Sequence, residues 1–374
     1  MSDLRCGSCD EAAHGSMAWR CHACGSPLEL ELPPADPATF ADGGIEGLWR
    51  YRGWLPRAEP VVLGEPRTAL VDMPAETGRI RAKLEGGLPT GSFKDRGAAV
   101  TVASLRGQGA HEIVVDSSGN AGASFAAYAA RAGLRLRLFA PADASPAKLL
   151  QARAHGAVVV AVPGPRSAAG EAARDALAGA GPGIAYGSHL WQPAFPAGTA
   201  TFAYEVFEQL GRRSPDVVVA PLGGGTLLLG IHLGFRRLRD AGMVDRVPRL
   251  VGVQSAACAP LAGAFRAGEP DAVAVTPGPT IAEGIRIDRP PRSRQILAAI
   301  RESGGEIVDV TDDAIRSASR ALLSQGLFVE PTSAAAYAGL TRSAVARDVQ
   351  GTVVLALTGH GLKATGPIGE ILGR

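Results

Sequence analysis

Stretches of four to seven residues rich in Val, Ile, Leu and Ala recur along this chain, each closed by Gly, Pro, Ser, Thr or Asp. Those at 113–116, 134–140, 157–162, 184–187, 217–220, 250–254, 306–310 and 353–357 predict strands. Several are unbroken apolar runs, which suits strands covered on both faces. Between them lie Ala-rich amphipathic stretches at 122–132, 145–155, 167–178, 199–210 and 312–325, which predict helices. Strand–helix alternation of this kind predicts an α/β protein with mainly parallel sheets. Ligands in such folds bind beyond the carboxyl ends of strands, so chemistry is to be sought just after each apolar run.

Composition narrows the function classes. The 374 residues are 46% hydrophobic and 20% charged, which excludes disorder over most of the length. A net charge of +2 gives no electrostatic reason for a nucleic-acid or membrane partner. No apolar run approaches the ~18 residues of a membrane-spanning helix. The polar first ten residues lack the apolar core of a signal peptide, so the expected location is cytoplasmic. Gly and Pro together make up about a fifth of the chain, an excess that predicts tight turns and close backbone approaches. Three regions follow: a cysteine-bearing module at 1–32, a linker at 33–60 containing LWRYRGWL, and a main body at 61–374.

Four of the five cysteines fall in the first 24 residues, as Cys6-x2-Cys9 and Cys21-x2-Cys24. Two such knuckles supply four thiolates, the set for a tetrahedral, closed and therefore structural Zn²⁺ site. The module's basic residues, Arg5 and Arg20, are outnumbered by acidic ones, which disfavours a nucleic-acid-binding ribbon. Cys258 stands alone and reads as a small core residue.

The segment LPTGSFKDRGA at 88–98 places Lys94 at a helix start between glycines. Helix-terminal dipoles there disfavour the ammonium form, and a depressed lysine pKa is what Schiff-base chemistry requires. A lone lysine at a helix start is ordinarily a solvated surface group, so the other loops decide. SSGNAGAS at 117–124 follows a predicted strand and opens a helix, forming an anion-binding turn. PLGGGTLLLG at 221–230 lets backbone N–H groups approach a phosphate, with Thr226 adding a hydroxyl. It is not a Walker loop, because no Gly-Lys-Ser/Thr follows. LTGHGLK at 357–363 ends the last predicted strand with a hydroxyl and glycines.

In this order, the cysteine ribbon, LWRYR with VVLGEPRTALV, PTGSFKDRG, SSGN, GGGT, GIRI and TGHGLK resemble the fold-type II pyridoxal-phosphate enzymes, and in particular threonine synthase and its close relatives. The resemblance spans nearly the whole chain. It implies two open, twisted, mainly parallel sheets flanked by helices, with a smaller lobe at about 95–200 inserted in a larger one formed by 61–94 and 201–374. It implies pyridoxal 5'-phosphate as cofactor, a small amino acid as substrate and a homodimer. Lys94 then corresponds to the lysine that carries the cofactor and shuttles protons at the substrate's Cα and Cβ. Phe93 corresponds to a neighbour of the cofactor ring, and Asn120 to the partner of its ring hydroxyl. Ser117, Ser118 and Gly119 match the loop that captures the substrate carboxylate. Gly223, Gly224, Gly225 and Thr226 match the phosphate cup, and Thr358 the hydroxyl facing the pyridine nitrogen. A neutral hydroxyl there makes the ring a weaker electron sink, which favours elimination and replacement at side-chain carbons.

The chain also departs from that family. It reads GNAG at 119–122 where the family usually shows GNTS, and YGSHLWQPAFPAGTAT at 186–201 contains no arginine to grip an anionic side chain. Ser188, His189, Gln192, Glu283 and Arg286 are candidates for the substrate pocket, Arg286 being the one cation suited to a substrate phosphate. The expected reaction is conversion of O-phosphohomoserine and water to threonine and phosphate. Its rivals are serine or threonine dehydration, or β-replacement. A rival of another class is a non-catalytic ligand-binding protein, or a zinc-ribbon protein binding nucleic acid.

Overall fold

The computed structural model describes residues 4–13, 15, 17–75, 78–144, 146–164, 166–347 and 349–373. In chain order, β1 (Leu4–Cys6), β2 (Ala12–Ala13) and β3 (Leu28–Leu30) come first, then β4 (Leu70–Met73) and β5 (Arg79–Leu84). Next are α1 (Lys94–Gly107), β6 (Glu112–Asp116), α2 (Asn120–Ala132), β7 (Arg135–Pro141), α3 (Pro146–Ala154), β8 (Val158–Val162), α4 (Arg166–Ala178), β9 (Ile184–Tyr186) and α5 (Ala194–Thr199). They are followed by α6 (Thr201–Gln209), β10 (Val217–Pro221), α7 (Thr226–Asp240), β11 (Arg249–Ser255), β12 (Glu306–Val310) and β13 (Thr352–Leu357). The chain divides into two compact units, one of Met1–Pro66 with Lys94–Thr199, the other of Arg67–Phe93 with Ala200–Arg374.

The first unit holds a parallel sheet ordered β8-β7-β6-β9. Its strand β6, EIVVD, buries Ile113, Val114 and Val115 completely, as an unbroken apolar run between neighbours should. Helix α2 stops because Gly133 takes the left-handed conformation (φ +71°) and returns its N–H to the carbonyls of Ala129 and Ala130. Phe125, Tyr128, Leu138 and Phe195 form the core. A small antiparallel sheet, β2-β1-β3, carries the cysteine module.

Residues 33–60, expected as a linker, are instead packed. A 3-10 helix at Gly47–Trp54 buries Trp49, Tyr51 and Trp54 to 2% exposure or less. The Trp49 indole donates to the Val61 carbonyl (3.1 Å) and Trp54 to that of Asp36 (2.8 Å). The three large aromatics of the LWRYRGWL element stabilise this packing through the area they bury.

The second unit holds a six-stranded sheet ordered β12-β11-β10-β13-β5-β4, parallel except for β4 against β5. Strand β10, VVVAP, is buried throughout, and its side chains join Val251, Val253, Leu355 and Leu357 in the core. Strands β4 and β5 were not expected, because Asp72 interrupts LVDM and RIRAKL alternates Arg and Lys with apolar residues, so neither is an unbroken apolar run. The helix expected at 199–210 is α6 (Thr201–Gln209), and a short helix that was not expected, α5 (Ala194–Thr199), stands just ahead of it. Among the described residues no helix is long and apolar enough to cross a membrane.

Candidate functional site

In the first unit, Lys94 is the first residue of α1. Its ammonium lies 5.8 Å from the centroid of the Phe195 ring. Phe195 reaches that place because Gly97, one turn along α1, has no side chain: a Cβ there would overlap the ring. Gly198 likewise lets α5 press against the Arg96 carbonyl.

Ser117, Ser118, Gly119 and Asn120 lie at the carboxyl end of β6 and the start of α2. The Ser117 hydroxyl accepts from the Gly119 N–H at 3.3 Å. The N-cap of α2, Gly119, supplies no side-chain cap, and the helix start carries the positive end of the α2 dipole. Asp95, next to Lys94, accepts a 2.6 Å hydrogen bond from the buried Ser124 hydroxyl, which ties the Lys94 turn to α2.

Beyond β9, residues 187–190 are buried. The hydroxyls of Tyr186 and Ser188 and Oδ1 of Asp116 are buried with no hydrogen-bond partner among the described residues. Burial, aided by the Asp116 carboxylate, pushes the Tyr186 phenol far up. Unpaired polar groups at adjoining strand ends are costly unless a polar ligand or water meets them. Gln192, a pocket candidate, donates to the Tyr186 carbonyl (2.5 Å) and so holds the loop itself. His189 is buried with its ring 5.9 Å from Phe195.

In the second unit, the glycine turn and Thr358 end two neighbouring parallel strands, β10 and β13. Gly225 adopts φ +74° and starts α7 without a side-chain cap, and Thr226 is 2% exposed. A Cβ at Gly223 would sit 2.9 Å from the Ile285 Cα, so this turn packs on the backbone of the segment carrying Glu283 and Arg286. Arg286 is exposed and donates to the Pro277 carbonyl at 3.3 Å, while Glu283 is exposed on the same short turn.

The turn before Lys94 is stitched to the one after Thr358. The Phe93 N–H donates to the Thr358 carbonyl (2.9 Å), His360 N–H to the Gly91 carbonyl (2.9 Å) and Lys363 Nζ to the Thr90 carbonyl (3.0 Å). Gly91 permits this at φ +84°.

Sequence reasoning missed two neighbours of Thr358. Its hydroxyl is 3.2 Å from that of Ser333 and 3.5 Å from the Glu330 carboxylate, both in EPTSAAA at the start of the helix Pro331–Arg342. The signal was present, since a hydroxyl pair at a buried helix start has the form of the turns that were found.

The sulfurs of Cys6, Cys9, Cys21 and Cys24 lie within 4.8 Å of one another, with close pairs at 3.4, 3.5 and 3.7 Å. Those separations are too long for disulfides and near the ~3.8 Å edge of a tetrahedron with ~2.3 Å zinc–sulfur bonds.

The profile of the family described as pyridoxal-phosphate dependent enzyme matches residues 61–359. The threonine synthase of Methanosarcina acetivorans is 36% identical, covering 84% of this chain and 80% of its own length. That of Synechocystis sp. is 36% identical over 90% of this chain and 89% of its own. Among solved structures, a fungal L-serine ammonia-lyase from Rhizomucor miehei shares the fold, with a TM-score of 0.72 at 21% identity, covering 84% of this chain and 99% of that one. The residues present fit the group that the family is named for. An uncapped helix start behind three glycines suits a phosphate, and a lysine amine suits an aldehyde. The chain belongs to the family of pyridoxal-phosphate dependent enzymes, alongside these threonine synthases.

Proposed function

We propose that this chain is a pyridoxal-phosphate-dependent lyase of the threonine synthase type, converting O-phosphohomoserine and water to threonine and phosphate. The observation that carries the reading is the pair of strand ends, Gly223–Thr226 after β10 and Thr358 after β13, in a chain that presents Lys94 at a helix start. When bound, pyridoxal phosphate supplies an electrophilic carbonyl and an electron-withdrawing ring that acidifies the amino acid's Cα. The N–H groups at 223–226 and the Thr226 hydroxyl bind the phosphate. Asn120 and Thr358 orient the ring, and Phe93 packs beside it. Lys94 would hold the aldehyde through its amine and would serve as the base that moves a proton from the substrate's Cα to its side chain. The loop Ser117–Ser118–Gly119 at the positive end of α2 binds the substrate carboxylate. Arg286 serves a distal phosphate by swinging from its Pro277 contact.

A second reading is dehydration of serine or threonine. The observation favouring it is the buried loop at 187–190 with α5, which offers hydroxyls and the Phe195 ring but contains no arginine. Purified protein offered O-phosphohomoserine, serine, threonine and O-phosphoserine in parallel separates the two. Phosphate release matched by threonine supports the first reading, and keto-acid formation without phosphate supports the second.

The thiolates of Cys6, Cys9, Cys21 and Cys24 hold a structural zinc, in keeping with sulfur spacings close to tetrahedral. Metal analysis at one zinc per chain supports this, and its absence from freshly purified protein refutes it. A reducing compartment such as the cytoplasm suits thiols kept in this state.

A further inference from the structure

The cysteine module belongs to the first unit and meets the rest of it at more than one point: the Met17 N–H donates to Gln108 Oε1 (2.6 Å), and Trp19 packs on the sheet. Trp19 sits two residues before Cys21, with the Arg20 guanidinium 4.8 Å from its ring centroid. Arg20 bridges to Pro27, and the Cys21 N–H donates to the Ser26 carbonyl at 2.8 Å, so the stem of Trp19 belongs to the thiol knuckle. The indole meets Tyr186 edge-on at 4.7 Å and Trp191 edge-on at 5.2 Å. It also packs with Val114, Phe139 and Ala173 on the sheet face.

Tyr186 and Trp191 bracket the 187–190 loop, which carries the unpartnered Ser188 hydroxyl. Gly187 N–H donates to the Val114 carbonyl (2.8 Å), the N–H groups of Trp191 and Gln192 donate to the Ser188 carbonyl (3.1 and 2.9 Å), and the Gln192 amide donates to the Tyr186 carbonyl (2.5 Å). Ser188 is thereby tied to Trp191, and Gln192 to Tyr186, the two residues whose rings Trp19 contacts.

We propose that Trp19 is a positioning residue for this loop, so that the cysteine module sets how tightly the substrate's side chain is held. The kinetic half of this inference rests on the lyase reading above, and the structural half does not.

The test uses the full-length, cofactor-loaded protein with Trp19→Ala and Trp19→Phe, reading amide hydrogen exchange and steady-state kinetics. In Trp19→Ala the amides of Gly187, Trp191 and Gln192 exchange roughly tenfold faster, while those of β10 and β13 are unchanged. KM rises roughly tenfold, the order that two edge-on aromatic contacts supply, and kcat stays within about twofold. Trp19→Phe restores both, because a ring edge is kept. Stripping metal with a strong zinc chelator reproduces the exchange pattern in the wild type and adds nothing to Trp19→Ala. Unchanged exchange at 187–192 in Trp19→Ala overturns the proposal, as does a chelator effect that adds fully to it. A loss of kcat equal to the loss of kcat/KM overturns it too. Should Trp19→Ala not accumulate, Trp19→Leu carries the same comparison. Faster exchange in a protein that turns over none of the four amino acids sinks the lyase reading and leaves the positioning role standing.

Discussion

The Lys83 ammonium lies 2.6 Å from the Glu205 carboxylate, and neither side chain reaches solvent. The ammonium also donates to the Thr68 carbonyl (2.7 Å) and Gln209 Oε1 (2.8 Å), while the Thr68 hydroxyl donates to Glu85 (2.8 Å). This network joins the end of β5 to α6. Removing one partner leaves a buried charge, so Lys83→Met and Glu205→Gln should each destabilise the protein by about 3–5 kcal/mol. Urea unfolding measures this, and a cost for the double variant well below the sum marks the coupling.

Lys94→Ala should abolish borohydride-fixable attachment of pyridoxal phosphate and lower turnover by about 10²–10⁴ or more. Mass spectrometry of the reduced protein checks the first effect and product assays the second. Retained attachment at another lysine would remove Lys94 from its role.

Gly97→Ala should cost roughly 1–3 kcal/mol, because its Cβ overlaps the Phe195 ring in a close-packed core. Adding Phe195→Leu should recover part of that loss by vacating the ring's edge. Thermal unfolding of the single and double variants tests the pair, and no recovery would show that the strain lies in the backbone.

His232, on α7, has its pKa lowered by burial, with Arg236 and Arg239 adding to the effect and Glu302, 3.4 Å away, opposing it. The folded state thus binds this proton more weakly than the unfolded chain, whose histidine titrates near ~6.5. Stability should fall as the pH drops from about 6.5 toward the lowered value, and His232→Gln should blunt that fall. Urea midpoints at pH 7 and pH 5 read the difference.

The strands at the sheet centres were legible because burial on both faces leaves an unbroken apolar run, as in β6 and β10. The turns after them were legible because a phosphate or carboxylate needs backbone N–H groups and small residues in sequence. What escaped depends on contacts far apart in the chain. Nothing local tells that Phe195 lies over Lys94, or that Glu330 and Ser333 stand beside Thr358. Within residues 33–60 the Pro and Gly content is local, whereas the burial of Trp49 and Trp54 depends on distant partners.

Strand β13 is the last of its sheet to be synthesised, yet it lies between β10 and β5, in the interior of the row. A nascent chain therefore carries β4 and β5 on one side and β10, β11 and β12 on the other with no strand to join them. Until residues 352–357 leave the ribosome, both inner edges expose ladder groups that invite pairing with the wrong chain. A premature stop ahead of residue 352 removes the centre of the sheet rather than fraying its margin, and a chaperone that shields strand edges has most to do in that interval.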